Sequence, residues 1–219
     1  MMTSYKIFHF NQLQAACTVL WGADGRCAVA DPGCYGEEER AALEAFLARE
    51  HLTPEALLLT HGHPDHISSA AWFHRRFGVT VWMNPAERQY LPVFRRFGAA
   101  VAMDVDIDFP TADAVDGVII PVGSLSLQVI ETPGHSRGGV CYYDAAGQIL
   151  LSGDTLFAGC IGRTDFTGGD YDMLIRSILD RLMPLPSDTL VIPGHGPVTS
   201  IGAEAGSNPF LEPFNEPED

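Results

Sequence analysis

The chain has 219 residues, 46% of them hydrophobic, and a formal charge of −15 at pH 7. That is enough apolar material for one sizeable core. No apolar run approaches the roughly 18 residues a membrane-spanning helix needs, and the acidic balance argues against a nucleic-acid backbone. Neither a membrane nor a nucleic acid is therefore an expected partner. Cys17, Cys27, Cys34, Cys141 and Cys160 are odd in number and lack Cys-x-x-Cys spacing, which suits reduced thiols better than a disulfide framework. No secretory apolar segment follows Met1, so a cytoplasmic location and a single domain over residues 1–219 are the expectation.

Tyr5–Phe10, Thr18–Trp21 and Arg26–Asp31 read as short strands broken by turn residues such as Gly22 and Gly25. Glu37–His51 has helical periodicity, and the apolar run Ala56–Leu59 follows it. Pro64–Phe77 and Ala86–Phe97 read as helices on either side of a strand at Val79–Met83. Gly98–Gly117 is acidic and irregular, a bridge between two halves. The second half is richer in strands: Val118–Pro121, Leu125–Glu131, Gly138–Tyr143, Gln148–Ser152 and Thr189–Ile192. Asp170–Met183 reads as a helix with Asp170 as its N-cap. The tail from Asn208 to Asp219 reads as a wrapped or partly ordered terminus. Two β-rich halves, each with helices for an outer face, imply two stacked sheets flanked by helix layers.

Residues 60–66 read Thr-His-Gly-His-Pro-Asp-His. At this composition His-x-His-x-Asp-His arises by chance in roughly one chain in a thousand. Imidazole suits first-row metals, and carboxylate oxygen adds a harder ligand. His61 and His63, two apart in an extended segment, point the same way and can share an ion. Asp65 and His66 follow a proline suited to the first turn of a helix, so they leave the loop in another direction. Three later strands each end at a glycine followed by a ligand type: Gly134-His135, Gly153-Asp154 and Gly194-His195.

These residues divide into His61, His63 and His135 on one metal and Asp65, His66 and His195 on the other, with Asp154 bridging. A hydroxide between two ions about 3.5–4 Å apart would complete such a site. Asp65 is also placed to hold the nucleophile or accept its proton. Asp31, closing an early strand, is read either as a brace for the ligand loops or as a local turn acceptor. The metals expected are two divalent ions, zinc first, with iron or manganese as alternatives.

Together with Ile161-Gly162-Arg163-Thr164-Asp165-Phe166 and Ile192-Pro193-Gly194-His195-Gly196-Pro197, these motifs resemble the metallo-β-lactamase fold. Within it they are most similar to short, single-domain glyoxalase II-like hydrolases. That resemblance implies an α/β (α+β) four-layer αββα sandwich with the site at one edge of the sheets. It also implies hydrolysis of a small-molecule thioester such as S-lactoylglutathione, with Arg163 holding a glutathione carboxylate; pairing of Arg163 with Asp165 is the plainer alternative. The chain ends before the C-terminal helical domain of the longer enzymes, which implies a more open cleft and wider thioester tolerance. A second family, the persulfide dioxygenases, also carries Gly-Arg-Thr-Asp-Phe. It would use one Fe(II) on His61 or His63, His135 and Asp154. The segment around His195 is more similar to the hydrolases.

Overall fold

The computed structural model describes residues 3–211. Two six-stranded sheets lie face to face, and the alternation of side chains along the strands decides what each face covers. In β2 (Ala15–Trp21) and β3 (Arg26–Ala30), Cys17, Val19, Cys27 and Val29 face one apolar core. Their neighbours Leu20, Ala28 and Ala30 face another. The first core is closed by Leu43, Phe46 and Leu47 of α1 (Gly36–Arg49) and Phe73 of α3 (Ala70–Phe77). The second lies between the sheets, where Leu20, Ala28 and Ala30 share a core with Leu127 and Val129 of β8 (Leu125–Glu131) and Val140 and Tyr142 of β9 (Val140–Asp144).

A third core packs Cys141, Tyr143 and Leu150 against Leu174 and Ile175 of α6 (Tyr171–Ser177) and Ile201 of α7 (Ile201–Ser207). Three apolar interfaces between four layers make the αββα sandwich that was expected.

The first sheet runs β1 (Ser4–Phe10), β2, β3, β4 (Thr53–Leu58), β5 (Thr80–Met83) and β6 (Thr111–Asp113). It is antiparallel through β3 and parallel beyond. The second is ordered β14 (Thr199–Ser200), β13 (Leu190–Pro193), β10 (Ile149–Gly153), β9, β8 and β7 (Ile119–Val122). The backbone bonds Ala16 N–H to Gly194 O (2.7 Å) and Val140 N–H to Thr60 O (2.9 Å) join the sheets at one end. The chain leaves β3, β4, β8, β10 and β13 at that same end, beside every ligand-type motif.

Several boundaries differ from the sequence expectation, each for a local reason. The helix expected over Pro64–Phe77 is two, α2 (Pro64–Ile67) and α3, separated at Ser68–Ser69. The Ser69 amide donates to Pro32 O (3.0 Å) and its hydroxyl to Cys34 O (2.5 Å), competing with helical bonding. Ala86–Phe97 is likewise divided, into α4 (Pro85–Arg88) and α5 (Leu91–Ala100), whose Pro92 sits in the first turn, where proline belongs. Gly98–Gly117 is not wholly irregular, since it ends α5 and contributes the three-residue edge strand β6. Asp170 does cap α6, accepting from Met173 N–H at 2.9 Å, but Ile178–Leu182 continues as a π-helical turn.

A small hairpin of β11 (Leu156–Phe157) and β12 (Cys160–Ile161) has no sequence counterpart among the expected elements. Of the expected terminal tail, Asn208 is buried and donates to Cys160 O (3.1 Å), whereas residues 212–219 lie outside the described residues. All five cysteines are free thiols, and four are buried. Among the described residues no helix is long and apolar enough to cross a membrane.

Candidate metal centre

The loop after β4 delivers His61 and His63, and Pro64 at the start of α2 turns the chain so that Asp65 and His66 enter from a second direction. His135 follows β8, Asp154 follows β10, and His195 follows β13. The structure brings all seven of these residues together. The ligand-type atoms of His61, His63 and His135 lie within 4.8 Å of one another, as do those of Asp65, His66 and His195. The Asp154 carboxylate stands between the sets, 3.5 Å from His66 Nε2 through Oδ1 and 3.5 Å from His135 Nε2 through Oδ2. Glycine is required beside it. A Cβ on Gly194 would collide with Asp154 Oδ1, and one on Gly153, at φ +49°, would collide with the Thr60 side chain.

Hydrogen bonds on the far sides of the rings decide which nitrogens face inward. Asp31, 3% exposed, accepts from Thr60 N–H (2.8 Å), from the Thr60 hydroxyl (2.6 Å) and from His66 Nδ1–H (3.0 Å). The Thr60 hydroxyl, having given its proton to Asp31, accepts from His61 Nδ1–H at 3.0 Å. His135 Nδ1–H donates to the Arg163 carbonyl at 2.7 Å. Each of these partners accepts, so Nε2 of neutral His61 and His135 carries a lone pair, and Nε2 of His66 offers one once its second proton leaves. Asp31 is therefore the brace rather than a local turn acceptor. A further grouping of Asp31, His61 and His66 also lies within 4.8 Å, but both Asp31 oxygens are already engaged by Thr60 and His66.

These inward atoms meet either no partner or one another. His61 Nε2 and Asp154 Oδ1 are buried without any hydrogen-bond partner. His66 Nε2 faces His195 Nε2 at 3.2 Å, and His135 Nε2 faces His63 Nδ1 at 2.9 Å. Inward nitrogens and carboxylate oxygens of this kind fit divalent first-row ions.

Electrostatics follow from the crowding. Burial, then the neighbouring imidazoles, lower His61 far below the usual histidine range and His63 to about 3. Burial alone would raise Asp65, but the imidazoles of His66 and His195 outweigh it and hold the carboxyl well below its usual range. Burial would also lower His66, yet Asp154, Asp65 and Asp31 raise it to about 10.

Residues not singled out in the sequence also build the site. Glu87, 0% exposed on α4, accepts from Gly62 N–H (2.8 Å) through one oxygen and Gly138 N–H (2.7 Å) through the other. It thereby ties the loop of His61 and His63 to the loop of His135. Its one sequence signal, Asn84 followed by Glu three positions later, reads as a helix capping box. Asn84 does cap α4, accepting from Ala86 N–H at 2.9 Å, while Glu87 reaches away to the ligand loops. Asn11 Nδ2 holds the other side, donating to Gly33 O (2.8 Å) and Asp65 O (2.9 Å).

Above the ligand atoms is a pocket of about 400 Å³, walled by Leu13, Phe97, Val101, Phe157 and Phe166, with Arg163 at its side. The Arg163 side chain makes the plainer of its two expected pairings. Its guanidinium is bidentate to Asp165 (2.9 and 2.7 Å) and lies 4.4 Å over the Phe166 ring. Its backbone, not its side chain, is what contacts a ligand-type residue.

A family model described as the Metallo-beta-lactamase superfamily matches residues 11–195. The chain is 36% identical to the probable metallo-hydrolase YqgX of Bacillus subtilis (strain 168), over 88% of this chain and 90% of that one. It is 35% identical to hydroxyacylglutathione hydrolase GloC of Haemophilus influenzae, over 94% and 97% respectively. A crystal structure of TTHA1623 in a di-iron-bound form has a TM-score of 0.84 at 34% identity, covering 94% of this chain and 100% of that one.

Proposed function

Because this chain belongs to the metallo-beta-lactamase superfamily, we propose that it is a metallo-hydrolase that cleaves a thioester at a two-metal centre. S-lactoylglutathione or a related hydroxyacyl-glutathione is the first substrate to assay, since one similar protein is named hydroxyacylglutathione hydrolase. The observation that carries the reading is the pair of three-residue donor sets meeting at Asp154 beneath a pocket. His61, His63 and His135 would hold one ion and Asp65, His66 and His195 the other, with Asp154 serving both. Divalent ions bound there would bring the pKa of water toward neutrality and polarise the carbonyl under attack.

The chain's own residues prepare that step. Asp31, through Thr60, and the Arg163 carbonyl keep three imidazoles turned with Nε2 inward. Asp65, 3.2 Å from His195, is placed to hold the attacking water or accept its proton. The apolar wall limits bulk water around the scissile bond.

The test is loss of thioester absorbance by protein loaded separately with zinc, iron or manganese, alongside metal content per chain. Turnover with two ions per chain supports the reading. Oxygen uptake with glutathione persulfide at one iron per chain, without thioester loss, would replace it with the dioxygenase alternative. That alternative leaves Asp65, His66 and His195 without a task.

A further inference from the structure

We propose that the pocket selects an uncharged thioester bearing apolar groups over a net-anionic glutathione thioester. The inference rests on the hydrolase reading above and specifies its substrate class. Apolar side chains reach the pocket from separate parts of the chain. Leu13 comes from the β1–β2 turn, Phe97 and Val101 from the end of α5, Phe157 from β11, and Phe166 from the loop after β12. Leu13 and Phe97 are 49% and 41% exposed, an unusual state for large apolar side chains grouped round a concave site. Phe166 stands edge-on to the His63 ring (5.3 Å), and Phe157 stands edge-on to the His195 ring (6.4 Å). Both sides of a carbonyl held between the two donor sets therefore meet aromatic surface.

Charge points the same way. Among the described residues Arg163 is the only guanidinium or ammonium group lining the pocket. Its planar fork, the natural receiver of a carboxylate, is already filled by Asp165 two residues on. A substrate carboxylate would have to displace that partner, in a chain of net charge −15. The Arg163–Asp165 pair, laid over Phe166, is a neutral shelf rather than an anion receiver.

The experiment uses the metal-loaded full chain and four substrates: lactoyl and phenylacetyl thioesters, each of glutathione and of uncharged N-acetylcysteamine. An apolar pocket discriminates by roughly tenfold or more per well-buried group. We expect kcat/KM to be at least about tenfold higher for phenylacetyl than for lactoyl, and for N-acetylcysteamine than for glutathione. Phe97→Ala should lower the phenylacetyl-to-lactoyl ratio. Asp165→Asn, which frees the guanidinium fork, should raise the ratio of glutathione to N-acetylcysteamine thioesters through KM. Calorimetry with S-benzyl-N-acetylcysteamine, a thioether that cannot be hydrolysed, reads the pocket without turnover.

Binding of that thioether without cleavage of any thioester would leave the pocket inference standing and overturn the hydrolase reading. Cleavage with a glutathione preference, or with ratios unmoved by Phe97→Ala and Asp165→Asn, would overturn the inference and leave the hydrolase reading intact. Absence of both thioether binding and thioester cleavage would overturn both.

Discussion

Replacing Glu87 with alanine tests whether this carboxylate fixes the His61, His63 and His135 set. The side chain is fully buried and accepts one backbone N–H from each of the two loops, at 2.8 and 2.7 Å. Removing it leaves both N–H groups buried and unpaired, at about 1–3 kcal/mol each. The loss to the folded chain is therefore of order 2–6 kcal/mol. Part of this is offset, because burial raises the Glu87 pKa and keeping it ionised is costly. Outer groups that orient metal ligands typically matter by about 10–100-fold in metal affinity. We expect a loss in that range, confined to one of the two ions.

Metal titration against a competing chelator reads the affinities, and urea unfolding of metal-free protein reads the stability. Glu87→Gln is the control, since its amide NH2 must face a backbone donor and only one bond survives. It should fall between wild type and Glu87→Ala. Two unchanged affinities together with an unchanged urea midpoint would refute the argument that Glu87 ties the loops.

Asp154→Ala should lower affinity for both ions, by more than about 100-fold, because its oxygens face both donor sets; ions per chain after dialysis check this. Gly62→Ala should destabilise the protein, since its Cβ would run into the Phe94 ring beside Glu87, by about 1–3 kcal/mol in urea unfolding. In metal-free protein His61 and His63 bind fewer protons folded than unfolded, so their contribution to stability falls as pH drops below 6.5, that of His63 down to about 3. His66 has the opposite sign: its contribution is complete below 6.5 and is lost as pH rises toward about 10. Metal binding near pH 7 should therefore release the His66 proton, which a pH indicator measures, and His66→Asn should diminish that release.

The sequence by itself determined which ligand types this site collects and the sandwich that carries them. Ligand identity resides in the residues themselves, and each candidate sits next to a local signal: Pro64 opening a helix, or Gly134, Gly153 and Gly194 closing a strand. Strand alternation likewise records which faces are buried. Tertiary structure alone decided the rest. Ser69 breaks a helix because Pro32 O and Cys34 O happen to lie within its reach. Glu87 carries a capping-box signal but serves two distant amides. Asp31, ambiguous as a strand-end residue, becomes a brace only once Thr60 and His66 arrive beside it. Arg163 and Asp165 are adjacent enough to pair, yet the apolar wall that gives their pairing a consequence comes from four separate segments. Hydrogen bonds and pocket walls depend on which backbone groups meet across the fold, and no local pattern of residue types encodes that meeting.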